Sequence, residues 1–212
     1  MHIPDGMLDV KVAAASAAAG AAVLGYAVYG ARQVLKREDV PRIALAGAFI
    51  FAAQMFNFPV PGGTSGHFLG GALAFILFGP RVGLTVMAAV LGVQALLFHD
   101  GGMLALGANV LCTGLIGGMA GYAIYKTGRQ WAKSRRSKMI VSFAAGWGSI
   151  VAASLGVALL LGLSGALPFG TAITAMMGWH ALIGLGEGLI TALVLAYVAD
   201  RKTVAAGEAV SA

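Results

Sequence analysis

The chain has 212 residues, of which 59% are hydrophobic and 10% charged, with a mean hydropathy of +0.87. So little charge cannot cover a water-soluble domain of this size, so lipid is the main solvent. The formal charge of +6 sits between apolar runs rather than along a stripe interleaved with aromatics, which excludes nucleic acid as a partner. The lone cysteine, Cys112, lies in an apolar run and excludes an internal disulfide framework or a Cys-based zinc site.

Before the first apolar run stands Met1-His2-Ile3-Pro4-Asp5-Gly6. Pro4 and Asp5-Gly6 are turn signals, for which a loose leader has no use. The first run is Val12–Ala31; the stretch before it carries Asp5, Asp9 and one lysine, the wrong polarity for a secretory signal, so it should be retained. Ile43–Phe58, Phe68–Gly79, Val82–Phe98, Leu104–Tyr125, Met139–Leu163 and Thr171–Ala199 follow. Most approach the roughly 20 residues that a bilayer-spanning helix needs. The third is short, held between His67 and Pro80. The expected architecture is an all-α polytopic membrane protein with seven transmembrane helices. Residues 1–200 form a single membrane domain, with 1–11 as its metal-binding leading segment, and 201–212 a cytoplasmic tail expected to be disordered.

The basic residues orient these helices. Thirteen of the fourteen lysines and arginines fall in alternate connections and after the last run, and Lys11 alone falls on the other side. By the positive-inside rule the N-terminus faces out and the C-terminus faces the cytoplasm. His2, His67 and His99 then all map to the outer face.

His2 has chemistry that its position confers. A bulky second residue should preserve Met1, leaving a free α-amine. That amine, the His2 amide nitrogen once deprotonated, and His2 Nδ1 close fused five- and six-membered chelate rings, nearly coplanar because the peptide is planar. Three in-plane nitrogens favour Ni(II) or Cu(II), with Co(II) possible, over tetrahedral zinc. The fourth corner needs one more nitrogen. His67, in the loop "PVPGGTSGHFLGG", is the candidate. A third helix rising only about 18 Å from Pro80 leaves this histidine recessed within a hydrocarbon core of about 30 Å. Irregular backbone is tolerated at that depth where it is buried or lines a cavity.

Four further residues are candidates for support or a pathway. His99, in "FHDGG", is a loop residue near the site. His180 and Glu187 are seven positions apart on one face of the last helix, and are read equally well as a hydrogen-bonded structural pair or as transport groups. Asn109 is a buried amide that could orient the binding loop. No G-x-x-x-x-G-K-[ST] phosphate loop, H-E-x-x-H or G-x-S-x-G motif occurs, so neither ATP hydrolysis by that route nor an intramembrane hydrolase is expected.

With these residues in view, "MHIPDG", "GGTSGHFLGG", "FHDGGMLALGANV" and "HALIGLGEGLIT" resemble the conserved blocks of the CbiM/NikM family, the substrate-binding components of bacterial nickel/cobalt energy-coupling-factor transporters. The resemblance implies a six-helix core with an extra N-terminal helix and an outward N-terminus. It implies a metal held by Met1, His2 and His67, with no prosthetic group. Its implied partners are a transmembrane coupling subunit, two cytoplasmic ATPases and, often, a small additional membrane subunit, all at the bacterial cytoplasmic membrane. Within the family "MHIPDG" leans towards nickel. Glutamine often stands where this chain has His99. The expected function is therefore capture and ATP-driven uptake of Ni(II) or Co(II) without an ATPase of its own. The alternatives are an autonomous secondary metal transporter or channel, and a non-transporting membrane assembly protein.

Overall fold

The structure, a computed structural model, describes residues 1–60 and 65–211. Helix α1, Val10–Val34, starts where the Asp9 carboxylate accepts the Lys11 amide at 2.9 Å, satisfying an otherwise orphaned first-turn donor. A short 3₁₀ turn leads to α2, Val40–Gln54, with Pro41 in its first turn, where the missing N–H costs nothing. Two short strands, β1 (Phe58–Pro59) and β2 (Ser65–Gly66), pair antiparallel with Pro59 opposite Ser65. Helix α3 covers Gly71–Phe98, α4 Leu106–Trp131, α5 Arg135–Leu163 and α6 Phe169–Ser211.

Helix α3 is not straight. Gly79 has φ 80° and ψ 165° and precedes Pro80, a pair that glycine's freedom permits and proline enforces. A Cβ on Gly83 would lie 2.9 Å from Phe75 Cα, although eight residues of continuous helix span about 12 Å. The arms 71–78 and 80–98 therefore fold back on each other. The runs Phe68–Gly79 and Val82–Phe98, expected as separate helices, are these two arms. The first arm starts at Gly71, leaving residues 67–70 irregular.

Among the described residues five segments, α1, α3 counted across its fold-back, α4, α5 and α6 to Arg201, are long and apolar enough to cross a membrane; α2, with 15 residues, is shorter. Helix α6 continues past Ala199 to Ser211, including the stretch expected as a tail. The α5–α6 pair is the most extensive, and α4 packs between α3 and α5. Small residues set the closest approach: a Cβ on Gly20 of α1 would stand 2.8 Å from Gly107 Cα of α4, the kind of backbone contact on which membrane helices rely.

The bundle has two chemically different ends. At one, Arg81 lies along Gly30 of α1 and over the Tyr26 ring, and Arg135 pairs with Asp200 at 2.8 Å. At the other, the N-terminal segment, the β1–β2 region and the connection between α3 and α4 meet.

Candidate metal site

The first three residues enter the bundle. The Met1 and Ile3 side chains are fully buried and pack with Leu69, Ala105, Ala108, Ile150 and Met176. Each such burial contributes about 1.5–3 kcal/mol. Asn109 of α4 fixes the backbone between these anchors and the turn: its Oδ1 accepts from the Ile3 amide at 2.8 Å, and its Nδ2 donates to the Ile3 carbonyl at 3.1 Å. Gly102 N–H adds a second donor to that carbonyl at 2.9 Å. Immediately after Asn109 the helix widens into π-type turns over Val110–Ile116, and the Thr113 hydroxyl takes up the Asn109 carbonyl at 2.6 Å.

The rest of the opening motif completes the dock. The Asp5 carboxylate accepts from Met103 (3.1 Å), Leu104 (2.8 Å) and Ala105 (3.3 Å) amides, capping the entry to α4. An anion there also meets the positive end of the helix dipole. Gly6, at φ 88°, makes the turn towards α1.

This anchoring brings three groups together. The Met1 α-amine is buried and donates to Ser65 Oγ at 2.7 Å. The His2 and His67 rings lie 4.3 Å apart between centroids, tilted by 41°. His67 Nδ1 donates to the Phe68 carbonyl at 2.6 Å, because a carbonyl can only accept. In a neutral ring Nε2 is then unprotonated, and this buried atom has no hydrogen-bond partner. Neither nitrogen of the buried His2 ring makes an aligned hydrogen bond, although Nδ1 lies 3.1 Å from Asp100 Oδ1.

The electrostatics favour free lone pairs. Burial holds the Met1 amine well below its ordinary value, against the pull of Asp100. Burial likewise lowers His2 and, more strongly, His67, which also feels the charges of the N-terminus and His2. For Asp100 partial burial raises the carboxyl, but His2, the N-terminus and Asn57 together outweigh it and the net shift is downward. These shifts favour the neutral forms of the nitrogens and the ionised form of the carboxylate.

Helix α6 grips the His67 loop through Glu187. Glu187 accepts from the Leu69 amide at 2.6 Å and the Gly70 amide at 2.9 Å, capping α3 from outside the chain segment that forms it. His180, two turns earlier, donates from Nδ1 to the Met176 carbonyl at 2.6 Å, and its Nε2 lies 3.2 Å from the Ser65 carbonyl. Gln54 of α2 donates to the Leu69 carbonyl. His180 and Glu187 share a helix face as the spacing requires, but Glu187 bonds the loop and His180 its own helix, and neither bonds the other.

Met1, His2, His67 and Asn109 thus converge, with His180 and Glu187 behind the loop. His99 does not join them: it is exposed, at φ 53°, and its neighbour Asp100 faces the site instead. Sequence reasoning passed over Asp100, Ser65 and Gln54. Asp100 stands beside His99 in "FHDGG", and nothing in that string shows that the left-handed backbone at His99 directs the aspartate inward. Among the described residues no group of three His, Cys, Asp or Glu side chains is arranged to hold a metal, so a site here needs backbone donors.

A helical membrane protein whose own N-terminus is buried against two histidines is the class that fold and site define. Residues 2–204 match the family described as the cobalt uptake substrate-specific transmembrane region, and the chain belongs to this CbiM family. It is 44% identical over 204 residues to a putative metal transport protein of Haloquadratum walsbyi, covering 95% of this chain and 91% of that protein. It is 44% identical to the putative fused nickel transport protein NikMN of Archaeoglobus fulgidus, covering 95% of this chain and 66% of the longer relative. The putative cobalt transport protein CbiM of Methanococcus voltae is 33% identical, over 95% and 92% of the two chains. A crystal structure of a truncated transition metal transporter superposes with a TM-score of 0.89 at 35% identity, covering 95% of this chain and 99% of that one.

Proposed function

We propose that this chain captures Ni(II) or Co(II), with nickel favoured, and is the substrate-binding component of an ATP-driven uptake complex in the cytoplasmic membrane. The ion is held by four nitrogens: the Met1 amine, the His2 amide and Nδ1, and His67 Nε2. The observation that carries this reading is the burial of the α-amine beside two histidine rings 4.3 Å apart, with His67 Nε2 unpartnered. The relatives' names supply the metal class. Closing the chelate displaces the amide proton, so binding is coupled to proton release.

In the bilayer α2 and the two arms of α3 complete a seven-helix bundle, with the site outside and the basic end in the cytoplasm. A transmembrane coupling subunit, two ATPases and a small further membrane subunit then drive delivery. A self-contained transporter is less well supported, because its candidate pathway groups are already bonded to backbone, Glu187 to the Leu69 and Gly70 amides and His180 to the Met176 carbonyl of its own helix.

The test is an N-terminal extension by two glycines. A single added residue would leave His2 third in the chain, where the amine, two amides and Nδ1 form a four-nitrogen chelate by themselves. The two-glycine protein should lose nickel binding by titration calorimetry, as should His2→Ala and His67→Ala, while a C-terminal tag leaves it intact. Full binding by the extended protein overturns the chelate. Uptake by the chain alone in ATP-free vesicles overturns the coupled mechanism.

A further inference from the structure

Every nitrogen in the proposed chelate is buried: Met1 is inaccessible, His67 likewise, and the His2 side chain is 1% exposed. A hydrated divalent ion arriving from water must reach them past something. Asp100 stands at that boundary, with its side chain 15% exposed and Oδ1 3.1 Å from His2 Nδ1.

That distance has a specific meaning. Nitrogen donors sit about 2.0–2.1 Å from a first-row divalent ion, so two donors at right angles around one ion are about 3 Å apart. Asp100 Oδ1 and His2 Nδ1 have the separation of neighbouring ligands. The contact falls outside strict hydrogen-bond alignment, though the two groups are close enough for each to shift the other's protonation. The carboxylate is held from its far side, with Oδ2 accepting from Asn57 Nδ2 at 3.2 Å and its own amide donating to the Gln94 carbonyl at 3.1 Å. Oδ1 is left facing the ring.

We propose that Asp100 is the entry ligand of the metal site. This rests on the capture reading above and adds a path to it. The hydrated ion gives up one water to Asp100 Oδ1. His2 Nδ1 and the Met1 amine displace further waters, the His2 amide proton leaves to water, and His67 Nε2 closes the plane as Asp100 Oδ1 lets go. No oxidation state changes. The carboxylate is suited to the first step because neutral nitrogens attract a distant cation weakly, whereas one negative charge about 5 Å from a dication enriches it roughly tenfold even at the dielectric of water. Focusing by a low-dielectric cleft increases this.

A ligand used only on the way in is also used on the way out, which separates it from a group that merely positions His2. Asp100→Asn retains an acceptor for Asn57 and removes the charge. Nickel association and release should be followed by stopped flow, with a competing metallochromic indicator, on the full chain in detergent. We expect the association rate to fall at least tenfold, to lose most of its salt dependence, and the release rate to stay equal or fall. Asp100→Glu should restore part of the association rate. A faster release with association within threefold of wild type overturns the entry role in favour of static support, as does no change in either rate. Failure of the wild-type chain to take up nickel at all would instead overturn the capture reading itself.

Discussion

Asn109 holds Ile3 by both sides of its backbone, Oδ1 on the amide at 2.8 Å and Nδ2 on the carbonyl at 3.1 Å. The two bonds are not equivalent. The Ile3 carbonyl keeps a second donor in Gly102 N–H, but among the described residues the Ile3 amide has Asn109 alone. Asn109→Ala therefore strands one buried donor, a loss of about 1–3 kcal/mol. If docking of the first residues forms the metal site, nickel affinity should fall about five- to 150-fold, with the helical circular dichroism unchanged. Calorimetric titration checks it.

Glu187 is expected to behave as a cap and not as a transport group. Glu187→Ala strands the Leu69 and Gly70 amides, each costing about 1–3 kcal/mol, and releases the loop that positions His67. Thermal unfolding in detergent should shift down by several degrees, and nickel affinity should fall with it. Glu187→Gln should lie between, because one of its two terminal atoms is then a donor facing a donor. A pathway residue would show the opposite pattern, with impaired transport at unchanged stability and affinity.

The sequence made the helices legible because apolar run length is the constraint a bilayer imposes, and Pro80 after Gly79 marked the fold-back. Chelate chemistry drew attention to Met1 and His2, because it depends on covalent connectivity and needs no tertiary information, and His67 entered as the expected fourth donor from its recessed loop. What the sequence could not show were contacts across the fold. Asp100 meeting His2 and Ser65 meeting the α-amine are separated by 98 and 64 positions, and no local pattern encodes either. For His180 and Glu187 the shared helix face was legible but the partner was not: Glu187 caps the Leu69 and Gly70 amides, and His180 bonds the Met176 carbonyl of its own helix. His99 drew notice for its residue type, but a left-handed backbone turned it outward.

Gly102 tests the dock without touching a proposed ligand. A Cβ built there would strike the Asp5 carboxylate and the Asp5 amide, so Gly102→Ala must push the opening motif away from α4. We expect at least a tenfold loss of nickel affinity. Gly92→Ala and Gly186→Ala, where a Cβ meets nothing within 4 Å, should bind as wild type. Equal behaviour of all three variants would show that the opening motif does not need this close approach.

Acid should undock the segment in the metal-free protein. The Met1 amine and the His2 and His67 rings are held below their ordinary values of 8.0, 6.5 and 6.5, chiefly by burial. A basic group lowered in this way binds fewer protons when docked than when released, so docking is favoured above its ordinary value and weakens as pH falls through it. The amine acts first, below about pH 8, and the imidazoles follow below about 6.5. Asp100 acts in the same direction, but its carboxyl, held below 3.8, titrates outside this window and remains ionised across it. Amide hydrogen exchange, corrected for the intrinsic pH dependence, should show protection at Ile3 falling steadily from pH 8.5 to 5.5. Protection in the middle of α5 should stay constant. His2→Asn removes one titrating ring and should flatten the lower part of the profile while leaving the step near pH 8 in place.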